Sequence, residues 1–267
     1  MPSLDDDLAL ALRLADAADA VSLSRFRAQD LAVETKPDRT PVTDADRAVE
    51  QGIRDVLAAE RPDDAVLGEE FGGGRRPGRQ WIVDPIDGTT NFLRGQQVWA
   101  TLIALAVDGV PQVGVVSAPA LDRRWWAARG SGAWAASPEQ EPQLLQVSGV
   151  ADLADAYISY NALQYWDRAG WVGRLLALTR GAWRARALGD FWSYVLVAEG
   201  QLDMAGEHDL QVYDVAALVP IVEEAGGRFT DLDGEDAPWR PTALATNGTL
   251  HDAVLAALHS HPVDAAR

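Results

Sequence analysis

The sequence predicts a layered α/β protein, in which an antiparallel sheet gives way to alternating strands and helices. Three observations predict it. Helical periodicity dominates the N-terminus, where Leu10, Leu14, Ala17 and Val21 recur at i, i+4, i+7 and i+11. Strict alternation follows at Thr101, Ile103, Leu105 and Val107, the period of a strand. The second half then switches repeatedly between short apolar runs and helical stripes, the pattern of a sheet covered by helices.

In chain order, a long amphipathic helix is expected from about Asp5 to Phe26, followed by the polar connection ETKPDRTPVT. Thr43 reads as the N-cap of a second helix with the stripe Ala45, Val49, Ile53 and Val56, ending before Pro62. A short strand at Ala65–Leu67 stops on Gly68-Glu69-Glu70, and a glycine-rich loop (Gly72 to Gly78) leads to a buried strand at Trp81–Val83. Asp108-Gly109 marks a hairpin, Val113–Val116 and Trp125–Ala128 continue an antiparallel sheet, and Gly130-Ser131-Gly132 reads as another turn. The segment SPEQEP (Ser137 to Pro142) marks a subdomain boundary, dividing the chain into residues 1–141 and 142–267. Beyond it, strands are expected at Ala156–Ser159, Trp183–Ala187, Leu202–Ala205, around Phe229 and at Ala243–Thr246. Helices are expected at Trp166–Thr179, Asp190–Ala198, Asp214–Ala225 and Leu250–Leu258.

Composition narrows the function. With 48% hydrophobic and 24% charged residues the chain has an ordinary globular balance. No run approaches the ~18 apolar residues of a membrane span, and the acidic start MPSLDDD does not resemble a secretory signal. There are no cysteines, which excludes disulfides, thiolate metal sites and cysteine nucleophiles and favours a cytoplasmic location. A net charge of −17 repels polyanions, so nucleic acid is an unfavourable partner.

The chemistry concentrates in WIVDPIDGTTNF (Trp81 to Phe92). The apolar run places Asp84 at a strand end, and Pro85 keeps it extended. Asp87 follows, and Gly88-Thr89-Thr90 offers backbone N–H groups and hydroxyls suited to a phosphate oxygen. Glu69, Glu70 and Asp214 fall, like Asp84 and Asp87, where strands end or helices begin. Each has a plain structural alternative: Asp214 can serve its helix dipole, Glu69 and Glu70 an exposed turn, and Asp87-Gly88 a common turn. Acid, proline, acid and a phosphate-type loop within seven residues fit a site where two carboxylates share a cation beside a phosphate. Carboxylates without cysteine or paired histidines suit Mg²⁺ or Mn²⁺ rather than zinc. His208 and His251 are isolated, and His259 and His261 fall in an expected loose tail. A G-x-S-x-G elbow, a Walker A loop and a dinucleotide fingerprint are all absent from the sequence. Asp84 and Asp87 stand three residues apart, which argues against an aspartyl phosphoenzyme.

The motifs closely resemble the inositol monophosphatase-like family of metal-dependent, lithium-sensitive phosphatases. Gly68-Glu69-Glu70, Asp84 through Phe92, Tyr213-Asp214-Val215-Ala216-Ala217 and Glu224-Ala225-Gly226-Gly227 occur in that family's order and spacing, with Tyr213 where tryptophan is usual. Within the family, Thr35 to Glu50, Gly68 to Gly73 and Asp122 to Gly130 resemble the actinobacterial histidinol-phosphatase branch. The resemblance implies a five-layered αβαβα sandwich of the inositol monophosphatase/fructose-1,6-bisphosphatase kind, with an N-terminal α+β half and a C-terminal α/β half. It implies Mg²⁺, two or three per active site, held by Glu69, Asp84, the Ile86 carbonyl, Asp87 and Asp214, with Mn²⁺ an alternative. Asp46, Glu69 and Thr89 are implied in catalysis, with Asp46 and Thr89 orienting a metal-activated water. Gly88, Thr89 and Thr90 are implied to hold the phosphate, and Glu207 the rest of the substrate. The expected reaction is hydrolysis of a small phosphate ester, histidinol phosphate in histidine biosynthesis first, inositol-1-phosphate or another small sugar or nucleotide phosphate as the alternative. A homodimer is implied by the same likeness. A non-catalytic metal- or phosphate-binding relative is the competing class, and the intact Asp46, Glu69, Asp84, Asp87, Thr89 and Asp214 favour the enzyme.

Overall fold

The computed structural model describes residues 2–35 and 41–260. The opening helix α1 (Leu4–Arg25) is capped by Ser3 and Asp6 in a reciprocal capping box. Strands β1 (Val33–Thr35) and β2 (Pro41–Thr43) pair antiparallel, where the sequence suggested only a polar connection. Residues 36–40, part of the Thr35–Glu50 likeness, lie outside the described residues. Helix α2 (Asp44–Glu60) starts at Thr43 as expected, again in a capping box, with Asp46 as its acidic member.

Next come β3 (Ala65–Gly68), β4 (Arg79–Asp87), the short α3 (Thr89–Leu93), β5 (Ala100–Val107), β6 (Val110–Ala118), β7 (Arg123–Ala128), β8 (Ala133–Ala136) and β9 (Gln143–Leu144). They form a seven-stranded sheet in the order β3-β4-β5-β6-β7-β8-β9, antiparallel except for β3 beside β4. Strand β4 is longer than the Trp81–Val83 expected. It continues through Pro85 to Asp87, with a register shift between Asp84 and Asp87. Its pairing with β3 ends at Val83, so Pro85, which lacks an N–H, costs no bond on that edge. Residues Ser137 to Pro142 connect the paired strands β8 and β9.

The remainder comprises β10 (Tyr157–Tyr160), α4 (Leu163–Arg168), α5 (Val172–Gly181), β11 (Arg184–Arg186), α6 (Asp190–Ala198), β12 (Met204–His208), α7 (Val212–Val215), α8 (Leu218–Glu224), β13 (Arg228–Thr230), β14 (Thr242–Thr246) and α9 (His251–His259). The second sheet has the order β11-β10-β12-β14-β13, with β11, β10 and β12 parallel and β14 antiparallel to both its neighbours. Two expected helices are broken. Gly170, at φ 73°, divides the Trp166–Thr179 stretch into α4 and α5. The Asp214–Ala225 stretch is divided into α7 and α8, because Pro220 has no N–H for the Ala216 carbonyl one turn earlier. His259 is not in a loose tail: it ends α9, bonds the Leu232 carbonyl and packs against Trp171. His261 lies outside the described residues.

Alternation sorts the core into layers. Trp81, Val83, Ile103, Leu105 and Val115 face α1 and α2, whereas Ile82, Leu102 and Val116 face α6 and α8. Beyond α6 and α8 lies the second sheet, represented by Ala205, Ala243 and Ala245, and its far face carries α5 and α9. The result is the five-layered αβαβα sandwich. Gly114 permits a close backbone contact between layers, since a Cβ there would sit 2.1 Å from the Ala217 carbonyl at the α7–α8 junction. Among the described residues no helix is long and apolar enough to cross a membrane.

Candidate active site

Alternation along β4 aims Asp84 into the layer between the sheets. Ile82 faces α6 and α8, and Asp84, two residues on and paired with Leu102, takes the same side. The register shift then lets Asp87 reach α6, where its Oδ2 accepts the Phe191 N–H at 2.6 Å. Asp84 Oδ1 accepts the Ile86 N–H at 3.0 Å.

Asp46 arrives from α2. Its Oδ2 accepts from the Thr43 N–H (2.8 Å) and hydroxyl (2.5 Å), and its Oδ1 faces the Thr89 hydroxyl at 3.4 Å. That hydroxyl also lies 3.0 Å from the Ile86 carbonyl oxygen. Thr89 therefore connects the first helical turn of α2 to the β4 bend. Gly88, at φ 81°, adopts the left-handed conformation that starts α3, and the N–H groups of that first turn are not used within the helix. Thr90 follows with its side chain exposed.

The Glu69–Glu70 turn is braced by a residue that the sequence reading passed over. Glu50, fully buried on α2, accepts the Glu70 N–H at 2.7 Å and the Phe71 N–H at 3.3 Å, and Arg54 neutralises it at 2.8 Å. A Cβ on Gly68 would fall 2.0 Å from Glu50 Oε1, so a larger residue there would displace the Glu50 carboxylate from the turn. The Glu50–Arg54 spacing of i, i+4 on a helix was the available signal. Asp214 is the third residue of α7 rather than its opener, and its Oδ2 accepts the Gln211 N–H at 2.7 Å.

These carboxylates act on one another. Burial first, then the charges of Glu69, Asp87, Asp214 and Asp46, push Asp84 well above the usual carboxylate range. Asp87 is raised by burial and then by Asp190 and Asp214, against the Phe191 N–H. Glu207 is raised by burial and then by Asp190, Asp87 and Asp214. Burial also lifts Asp46 to about 6, despite its bonds to Thr43, with Glu69 adding to the rise. The structure thus gathers Asp46, Glu69, Asp84, Asp87, Thr89, Asp214 and Glu207, and it adds Asp190, also raised to about 6 by burial. The sequence marks Asp190 by its place at a helix start, as an acid available to a cationic group of the substrate.

This donor set fits hard cations. It is all oxygen, it is buried, and among the described residues no Arg, Lys or His forms an ion pair with Asp84, Asp87 or Glu207. Carboxylates left so close in a poorly solvated cleft need positive charge to stay ionised at neutral pH. Ligand atoms of Asp46, Glu69 and Glu70 lie within 4.8 Å of one another, so Glu70, weighed in the sequence but not assigned a role, stands at single-ion range.

A family model described as the inositol monophosphatase family matches residues 3–262. The chain is 59% identical to a histidinol-phosphatase of Mycobacterium tuberculosis over 96% of this chain and 98% of that protein. It is 52% identical to a histidinol-phosphatase of Streptomyces coelicolor, covering 97% and 99%. Among solved structures, the Thermotoga maritima IMPase superposes with a TM-score of 0.83 at 30% identity, covering 96% of this chain and 97% of that one.

Proposed function

From the premise that the chain belongs to the inositol monophosphatase family, we propose that it is a Mg²⁺-dependent phosphomonoesterase whose substrate is histidinol phosphate. The observation that carries the reading is Thr89, whose hydroxyl stands between the Asp46 carboxylate and the Ile86 carbonyl at the edge of the buried acidic cluster. Glu69, Asp84, the Ile86 carbonyl, Asp87 and Asp214 hold the cations. Bound cations supply Lewis-acid activation of water and neutralise charge on the phosphoryl oxygens and the departing alkoxide.

The protein's own groups do the rest. The Thr89 hydroxyl donates its hydrogen bond to Asp46 and accepts one from the attacking water, fixing it for in-line approach; as the water attacks, its proton passes to Thr89 while the Thr89 proton passes to Asp46. N–H groups of Gly88, Thr89 and Thr90 at the start of α3 hold the phosphate oxygens. Glu207 receives the alcohol portion. The place of such an enzyme is histidine biosynthesis in the cytoplasm, as a homodimer, with sensitivity to lithium.

Phosphate release from histidinol phosphate and inositol-1-phosphate, with Mg²⁺ and with EDTA, tests the reading. We expect Mg²⁺-dependent turnover with the higher kcat/KM for histidinol phosphate. Thr89→Ala should lower kcat by about 10²-fold while Mg²⁺ affinity, measured by calorimetry, stays within about threefold. Turnover unaffected by EDTA, or a Thr89→Ala loss confined to metal affinity, contradicts it.

A further inference from the structure

Two buried polar side chains, Tyr194 and Glu207, and the half-buried Asp190 converge beside the phosphate-facing loop, and each of the two buried ones has an atom with no partner among the described residues. Asp190 opens α6 at φ 52°, a left-handed conformation that side chains rarely adopt. Its N–H donates to Glu207 on β12. Its carboxylate faces the loop instead: Asn91 Nδ2 donates to Oδ2 at 3.3 Å, and a Cβ on Gly88 would lie 3.5 Å from the same oxygen. Tyr194 follows one turn later on α6. Glu207 is 2% exposed and Tyr194 1%, yet Glu207 Oε1 and Tyr194 Oη make no hydrogen bond among the described residues. Among the carboxylates around Tyr194, Glu207 acts on it most strongly.

The cations proposed above are held by Glu69, Asp84, the Ile86 carbonyl, Asp87 and Asp214, a set that includes neither Asp190 nor Glu207. No Arg, Lys or His of the described residues pairs with either carboxylate. The corner therefore presents two acids and a phenol oxygen to something that is cationic and donates several hydrogen bonds. An ammonium group has those properties: full charge and three donors.

We propose that Asp190, Tyr194 and Glu207 form a pocket for an ammonium group on the alcohol portion of the substrate, which commits the site to phosphate esters of amino alcohols. This deepens the reading above and rests on it. Asp190 lies between Gly88 and Glu207, so the cation it binds is adjacent to the phosphate, as in an ester whose amine sits one carbon from the ester carbon. A neutral polyol supplies donors but no charge, and leaves the two acids facing each other uncompensated.

The test compares histidinol phosphate with its desamino counterpart, 3-(imidazol-4-yl)propyl phosphate, in wild type, Asp190→Asn and Tyr194→Phe. Asparagine is well tolerated at positive φ, and Tyr194→Phe removes a single oxygen. Wild type should prefer the amino ester in kcat/KM by roughly 10- to 100-fold. Asp190→Asn should cut that preference at least about tenfold and Tyr194→Phe about threefold. Calorimetry without metal should show histidinol binding more tightly than the desamino alcohol in wild type, with the difference lost in Asp190→Asn. An unchanged preference in both variants, or equal use of both esters by wild type, overturns the pocket. Failure of wild type to hydrolyse any ester, including inositol-1-phosphate, would instead sink the phosphatase reading, and the calorimetric arm would still decide the pocket. Should Asp190→Asn fail to melt cooperatively, the Tyr194→Phe ratio decides alone.

Discussion

Asp7 and Asp84 are both sealed from water, and their surroundings are opposites. Asp7, on α1, receives two parallel bonds from Arg79 at 3.0 and 2.8 Å, with Arg61 at 3.5 Å. Arg79 also holds Asp64, which accepts the Trp81 indole N–H. Asp84, five residues beyond Arg79 on the same strand, has a single backbone N–H and four acidic neighbours. One end of β4 is a finished ion-pair network that ties α1 to the sheet. The other end gathers carboxylates that no Arg, Lys or His of the described residues pairs with, and such a site is built for an incoming cation.

That contrast can be broken by four experiments. Asp7→Ala should be the most damaging to the fold, because it leaves Arg79 partly buried with half its partners; the expected loss is about 3–5 kcal/mol in urea unfolding, with normal turnover in the folded protein. A loss below about 1 kcal/mol would mean the network is not structural. Asp87→Asn should reduce Mg²⁺-dependent turnover at least ~10²-fold. Its amide oxygen can still accept the Phe191 N–H, so melting in EDTA should not suffer. Near-normal activity would remove Asp87 from the cation site.

The third experiment uses pH. Asp190 is raised from 3.8 to about 6, so between about pH 4 and 6 the folded protein keeps a proton that the unfolded chain has released. Its contribution to stability therefore falls as pH rises across that window. In EDTA, Asp190→Asn should gain Tm relative to wild type from pH 4 to 6.5, and a constant gap would contradict the burial argument. The smallest effect belongs to the exposed pair Arg13–Glu60, 54% and 41% exposed at the side chains. Arg13→Ala should change stability by less than about 0.5 kcal/mol, and a larger change would make exposure a poor guide here.

The motif from Trp81 to Phe92 was legible because its chemistry is local: strand, proline, acid and turn lie within one stretch. Asp46 was legible too, since its capping box with Thr43 needs only three residues. Glu207 came only through the family resemblance and Asp190 only by its helix start, while Tyr194 gave no sign, because their meeting depends on β12 lying against α6 and neither segment carries a local mark of it. Glu50 looked like an ordinary helix residue until Gly68 came against it. The helix breaks failed for a related reason. Apolar periodicity continues through Gly170 and Pro220, and only the backbone requirements of those two residues interrupt it.

The Phe191 amide, bonded to Asp87 across the gap between the sheets, has one more consequence. Its proton can exchange with solvent only when the first turn of α6 parts from the end of β4. The rate at which that single amide takes up deuterium is thus a clock for opening of the cleft, independent of any substrate. If cations draw the two walls together, Mg²⁺ should slow that clock far more than it slows the amides of α5 or α9, which belong to the opposite surface.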